Sequence, residues 1–302
     1  MKKLPFLLIL LISNFTFSQI QSVIVNNNTK EVIPYVNIWV ENEDIGTTSN
    51  NNGEFELNIN NSKTIIFSAI GFETKKIISD SIKSVITLNP TVTQLEEVII
   101  QNKLETKEIS IGKFKKSKID FYYSTGKKPW IVARFFKYQE AYKNTPFLNK
   151  INVLTNSDID NAKFNIRLYS IDSNGEPDEY IYQENIIGTA EKGKNITEVD
   201  VSNLNIQFPK EGFFVAIEWL IVDANKRTYE YNMYNSDEKR IGYSYEPSIG
   251  TIPSETNEDN WIFHFGKWRK REKNISTPKK INYSKRYRDK YNSIAVELIL
   301  TN

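Results

Sequence analysis

The stretch "PYVNIWVENEDIGTTSNNNGEFELNI", Pro34 to Ile59, decides the fold. Its opening segment, Tyr35–Glu41, reads as a strand. Val36, Ile38 and Val40 fall on one face and Tyr35, Asn37 and Trp39 on the other, because successive side chains of a strand alternate. The first face is apolar and belongs to a core. The second is polar and aromatic, as on a half-exposed sheet. Pro34 stands at the start of the strand, where proline is tolerated. Gly46 permits a turn or a bulge. Asn52-Gly53 is the sharpest turn signal, since a type I′ turn needs positive φ at both central residues and Asn-Gly supplies it with little strain.

Working outward, Ile20–Val25, Glu54–Ile59, Thr64–Ser68, Glu73–Ile78 and Ser84–Leu88 are further short strands, each bounded by turn residues. The chain has 302 residues, 17 Phe, 16 Tyr and 5 Trp, a composition suited to strands and a length suited to two domains. Ahead of the first strand, Lys2 and Lys3 precede the apolar run Leu4–Ile12, and Thr16 and Ser18 are small residues at the −3 and −1 positions of a cleavage site. Residues 1–18 are therefore read as a signal peptide cut between Ser18 and Gln19. A membrane anchor is the competing reading, but the apolar run is shorter than the roughly 20 residues a spanning helix needs. No later segment approaches that length, so no transmembrane segment is expected in the mature chain. There is no cysteine, hence no disulfide and no thiol to carry a lipoprotein acyl group. The net charge is +2 with two lysines in the leader, so nucleic acid is not expected as a partner.

The motif residues Pro34, Val36, Ile38, Gly46, Thr47, Gly53, Phe55, Phe67, Ser68, Gly71, Phe72, Leu95, Glu97 and Val98 follow one another in the order seen in carboxypeptidase regulatory-like domains. The region resembles that family, which implies a transthyretin-like β-sandwich over residues 19–90. Ser22 and Asn26 replace the glycine and aspartate usual in the family's first strand, so the first turn is expected to differ. Outer-membrane receptors carry the same front domain before a plug and barrel, for which the 212 residues after Pro90 are too few.

Residues 91–116 read as a linker rich in Lys, Glu and Thr, with one apolar run, "LEEVII", able to pair with a sheet edge. Residues 117–302 read as a second β region. "INVLTN", "KFNIRLYSID", "EYIYQENII", "ITEVDV", "GFFVAIEWLIV" and the closing "NSIAVELILTN" are its best strands, and Asn174-Gly175 is a second hairpin signal. Phe164, Ile166 and Leu168 alternate with Asn165, Arg167 and Tyr169, while Phe213, Val215, Ile217 and Trp219 oppose Phe214, Ala216, Glu218 and Leu220. The order of these strands is similar to jelly-roll modules of exported bacterial proteins. The whole resembles a family of exported Gram-negative proteins: all-β, a transthyretin-like sandwich followed by a jelly-roll-like one, with a basic, aromatic insertion at about Asn225–Asn292.

Chemistry-bearing residues are few. His264 is the only histidine, too few imidazoles and thiols for a usual zinc site, and a serine triad would have to use it as the base without a G-x-S-x-G elbow. No cofactor and no metal is expected. Asp158 with Asp160 and Asp178 with Glu179 read as solvated turn residues. Glu218 lies on an apolar strand and needs a cationic partner or an exposed position, since burying it unpaired is costly. "DSNGEPDEY", Asp172–Tyr180, carries oxygens that could hold calcium but lacks the full EF-hand pattern, and a hairpin turn accounts for it. Two aromatic segments, Asp120–Phe136 and Asn260–Arg271, supply the candidate binding residues Tyr122, Tyr123, Trp130, Trp261 and Trp268, with Arg269, Lys270 and Arg271 beside them. Such rings can stack on sugars or pack in a core. Between Lys267 and Lys290 eleven basic residues face two acidic ones, either a patch for an acidic envelope polymer or a solvated loop. The expected role is a non-enzymatic exported protein of the periplasm, outer-membrane surface or extracellular space that binds or scaffolds an envelope glycan or an outer-membrane protein. The alternatives are a carboxylate-dependent glycan hydrolase and strand addition to a receptor through "LEEVII".

Overall fold

The computed structural model describes residues 18–91, 105–126, 129–233, 238–264, 266–275 and 284–302. The leader and the "LEEVII" run (95–100) lie outside them. Among the described residues the regular structure is strand, with a few single-turn 3₁₀ segments.

The first seven strands are β1 (Ser18–Asn26), β2 (Asn37–Val40), β3 (Gly46–Thr48), β4 (Glu54–Ile59), β5 (Thr64–Ser68), β6 (Lys75–Ile78) and β7 (Val85–Leu88). They form a sandwich of two sheets, ordered β4-β1-β7 and β3-β2-β5-β6. β1 runs antiparallel to β4 and parallel to β7. In β4, Phe55, Leu57 and Ile59 are buried while Glu54, Glu56 and Asn58 are exposed, the period-2 pattern of a sheet with one wet face. Ile24, Val36, Ile38, Ile65, Phe67 and Leu88 are sealed between the sheets, and removing each from water contributes about 1.5–3 kcal/mol.

Two sequence expectations change here. Strand β2 starts at Asn37, because Tyr35 sits in the left-handed region at φ 57° and breaks the extended run. Gly46 opens β3 opposite Trp39 instead of making a turn or bulge. A Cβ at Gly46 would come within 2.6 Å of the Ile38 carbonyl oxygen and of Pro129 in the second sandwich, so the glycine serves close approach.

The second sandwich contains β8 (Glu108–Ile111), β9 (Tyr122–Thr125), β10 (Ile131–Phe136), β11 (Phe147–Ser157), β12 (Ala162–Ile171), β13 (Pro177–Tyr180), β14 (Ile186–Ala190) and β15 (Gly193–Asp200). It continues with β16 (Phe213–Trp219), β17 (Lys226–Asn232), β18 (Lys239–Ser254), β19 (Asn260–His264), β20 (Lys267–Lys270), β21 (Tyr291–Ile294) and β22 (Val296–Thr301). One sheet is ordered β13-β12-β16-β10-β19-β20, with β14 also on β12. The other is ordered β17-β18-β11-β22-β8, with β15 on β11 and β9 and β21 on β18. The chain passes repeatedly from one sheet to the other, and Phe164, Ile166, Phe213, Trp219, Ile151 and Leu298 fill the space between them.

The stretch read as a linker contributes β8, which pairs with β22 at the edge of the second sandwich. The stretch read as an insertion contributes β17 to β20, regular strands shared between both sheets. Their alternation is hidden by many charged and tyrosine residues on exposed faces. "EYIYQENII" divides into parts of β13 and β14, which pair with different segments of β12.

Candidate functional site

The two sandwiches meet along β2 and β3 of the first and the outer face of the β10–β12–β16–β19 sheet of the second. Every residue of β16 is buried. Its inward set faces the main core, while Phe214 and Ala216 face a second apolar cluster on the outer side. Glu218 shares that outer side. The β12–β16 register sets Asn165 opposite Glu218 and Arg167 opposite Ala216. Arg167 donates from Nε and Nη2 to Glu218 Oε2, each at 2.6 Å. Asn165 Nδ2 adds a third bond to Oε2 at 3.3 Å, and Asn37 of the first sandwich donates to Oε1. Both charged side chains are 2 % exposed. Burial, the largest single influence, pulls the Arg167 guanidinium down, but the Glu218 charge and hydrogen bond together with Tyr180 and Tyr169 outweigh it and the net shift is upward.

The β2 face expected to be half exposed is thus an interface. Around Asn37, Trp39 meets Phe263 edge-on at 6.4 Å, and His264 Nε2 lies 2.9 Å from Asp44 Oδ1. The Thr48 hydroxyl accepts from the Ile221 amide at 3.0 Å, and the Thr48 amide donates to the Ile221 carbonyl at 3.3 Å. That pairing covers β3, the edge strand of its sheet, a common way to blunt an edge. His264 also lines a small, partly open cavity of about 20 Å³ with Asn37, Trp39, Asp44 and Trp130, room for about one water molecule.

The first aromatic segment becomes β9 and β10 and the second β19 and β20. Of these, β10 and β19 are neighbours, with Ile131 opposite Phe263 and Ala133 opposite Trp261, while β9 pairs with β18 in the other sheet. Their rings do not share a platform. Tyr123 is 6 % exposed and donates to the Asn292 carbonyl. Trp130 stacks flat on Trp219, 4.8 Å between centroids, at the margin of the main core. Tyr122 packs on a small cluster around Ile119 and Leu154. Trp261 and Trp268 lie on the outer face with Tyr169, Phe214 and Phe263. Strand alternation and the two distinct cores divide the set. Arg269 and Lys270 are exposed on β20, and Lys270 stands 5.4 Å over Trp261. Arg271 stands 4.8 Å over Tyr123. Since β20 ends its sheet among the described residues, its basic residues also guard that edge. Farther along the basic stretch, Tyr287 is 1 % exposed and donates to the Thr251 carbonyl at 2.7 Å, anchoring the segment before β21.

Asp172 heads a turn whose plan recurs. Its Oδ1 accepts from the amides of Asn174 and Glu176 at 2.8 and 2.7 Å. Asn50 Oδ1 does the same for Asn52 and Glu54 at 2.8 and 3.0 Å. In both turns the glycine alone has positive φ, +83° at Gly175 and +73° at Gly53. These are type I turns closed by a left-handed glycine, not the type I′ turn expected at Asn52-Gly53. The Glu176 amide, helped by Asn174, holds the Asp172 carboxyl below its ordinary range. Among the described residues no group of three or more His, Asp or Glu could hold a metal ion, and no helix is long and apolar enough to cross a membrane.

One carboxylate escaped the sequence reading. Glu246 on β18 is 4 % exposed. Burial pushes its carboxyl up, Asp158 adds to the effect, and Arg227 opposes it. Arg227 is itself ion-paired to Asp158 at 2.7 Å. The only sequence signal was an acidic residue before Pro247, in a segment whose strand character was not evident.

No curated protein matches the chain. A solved structure of the cysteine protease and lectin-like domains of Cwp84, a surface layer associated protein of Clostridium difficile, aligns at a TM-score of 0.34 and 10% identity over 58% of this chain. The chain spans 32% of that protein's length in the alignment. Residues 20–100 match the CarboxypepD_reg-like domain, so the front sandwich bears out the resemblance carried by its motif residues, with a β-rich region following it.

Proposed function

We propose that the chain is an exported, non-catalytic module of the cell envelope, in which two docked sandwiches bind or scaffold a glycan or a protein partner. The observation that carries this reading is the state of Glu218. Both of its oxygens are engaged, by Arg167, Asn165 and Asn37, so it joins the sandwiches and is not open to a substrate. The leader supports export, and the polar and aromatic surfaces of the sandwiches support binding. The test uses the mature chain from Gln19, offered to envelope extracts for capture and to envelope glycans in a reducing-end release assay. Capture without release is expected. Steady release of sugar ends that is lost on one point substitution would overturn the reading.

A second reading has a specific observation in its favour. Glu246, with its raised carboxyl beside Asp158, has the unequal pairing that acid–base hydrolases use. Arg227 at Asp158 fits a structural ion cluster better. Glu246→Gln in the same release assay separates them: abolished release supports a hydrolase, and an unchanged absence of release supports the module.

A further inference from the structure

A cleft of about 890 Å³ opens between the sandwiches, bordered by Thr47, Thr48 and Ile221 of the junction. Its two walls have different chemistry. The front wall is the exposed outer face of β1 and β4, where Gln21 is paired in register with Glu56. Glu54, Glu56 and Asn58 follow one another along β4, all pointing outward. Asn50 and Asn51 of the first turn also line the cleft. The rear wall is the β17–β18 hairpin, which presents Lys226, Tyr243 and Tyr245. The two tyrosine rings are 6.1 Å apart and perpendicular, and the Lys226 ammonium stands 5.0 Å from the Tyr243 ring. Glu56 and Lys226 line the same cleft from its two walls. Tyr35 lines the cleft as well, from a left-handed backbone at φ 57°. For a bulky residue that conformation costs on the order of 1 kcal/mol and is more often found at binding sites.

The volume is that of a small-ligand site, but the lining is richer in polar surface than usual for an apolar ligand. Amides and carboxylates in a flat ladder match the paired donors and acceptors of sugar hydroxyls, and tyrosine faces match the apolar faces of pyranose rings. Glu54, Glu56 and Asp223 against Lys163 and Lys226 leave the cleft slightly acidic, which disfavours polyanions. The polar side chains of the front wall project from the sheet face, which suits side-chain recognition of a ligand better than the backbone ladder that the end strands β4 and β17 could offer an extended peptide. We propose that this cleft is a binding site for a short, uncharged oligosaccharide, held between the β4 polar ladder and Tyr243 and Tyr245. The proposal rests on the binding-module reading and names its ligand class and place.

The test is calorimetric titration of the mature chain with cellotriose, maltotriose, mannotriose and N,N′,N″-triacetylchitotriose, with trigalacturonate as the acidic comparison. At least one neutral trisaccharide binds, and trigalacturonate binds more weakly than it. Tyr243→Ala weakens binding about tenfold, the equivalent of one lost aromatic contact. Asn58→Trp, which fills the cleft from the opposite wall and leaves the hairpin intact, abolishes binding. Both variants are required to keep the wild-type unfolding midpoint. Trp268→Ala, on the outer aromatic cluster, leaves affinity unchanged. Loss on Trp268→Ala with none on Asn58→Trp would overturn the cleft assignment and leave glycan binding standing. Binding of none of the four neutral sugars would overturn the proposal, while the module reading would still be judged by capture from envelope extracts.

Discussion

At the residue scale the most consequential contact is between Arg167 and Glu218, both 2 % exposed. A buried ion pair is weak evidence of net stabilisation, but breaking one side of it strands a charge, at about 3–5 kcal/mol. Glu218→Leu alone and Arg167→Met alone are therefore expected to lower stability by amounts in that range, read as a shift of the urea midpoint at constant slope. The double variant removes both charges and is expected to recover most of the loss. A loss in the double variant equal to the sum of the two single losses would show that the pair carries no coupling. Asp172 gives a gentler test. Asn stands at the matching position of the first turn, Asn50, and makes the same two backbone bonds, so Asp172→Asn can keep those bonds while removing the charge and the acceptor for Asn174 Nδ2. The folded carboxyl titrates below its ordinary value. Its contribution is present above the unfolded pKa of about 3.9 and is lost as pH falls through the lower folded value. Wild type should be slightly more stable than Asp172→Asn near neutrality, and the two should converge in acid. A gap that widened on acidification would refute this.

At the element scale the turn glycines separate backbone cost from crowding. Gly53 and Gly175 both have positive φ, but a Cβ at Gly175 meets nothing within 4 Å, whereas one at Gly53 comes within 2.7 Å of the Ile24 carbonyl oxygen. Gly175→Ala should cost about 1–2 kcal/mol from the left-handed backbone alone, and Gly53→Ala clearly more, by thermal unfolding. Equal costs would mean that the first turn relaxes freely. These turns also show what the sequence could reveal. "NNNGE" and "DSNGE" were legible as turns because glycine and a side-chain acceptor act locally, and β4 and β5 were legible to the residue because they alternate cleanly or run apolar between turn residues. β17 and β18 were not legible, since tyrosines and charges cover their exposed faces and erase the apolar period. The outer-face partition of β16 was readable from alternation, and so was the need for a cation near Glu218. That the cation is Arg167 depends on a β12–β16 register across 51 residues, and nothing local in the sequence sets it. The part of Asn37 was less legible still, because it belongs to the other sandwich. The density of the aromatics is plain in the sequence, but which core each ring joins is decided by strand parity in β9, β10, β19 and β20 together.

At the scale of the whole molecule, the question is whether two sandwiches act as one body. Their junction combines a charge network, a strand-edge pairing at Thr48 and Ile221, and close apolar contacts at Trp39–Phe263 and Gly46–Pro129. The proposed cleft exists only while this junction is closed, because its walls belong to different sandwiches. Gly46 is the residue at which docking can be perturbed with least damage elsewhere. A valine there meets the Ile38 carbonyl and the Pro129 ring inside contact distance, and neither is the loose end of a flexible side chain. Such overpacking typically costs about 1–3 kcal/mol. Because Pro129 lies across the junction, separating the sandwiches is one way to relieve it. Gly46→Val should therefore speed hydrogen exchange at the Ile221 amide, which is held by Thr48, while the Ile217 amide, inside β16, keeps its protection. It should also enlarge the radius of gyration in solution scattering and weaken any trisaccharide bound in the cleft. If exchange at Ile221 stayed slow and scattering were unchanged, the strain would be absorbed within the front sandwich, and the junction would be stiffer than its contacts imply.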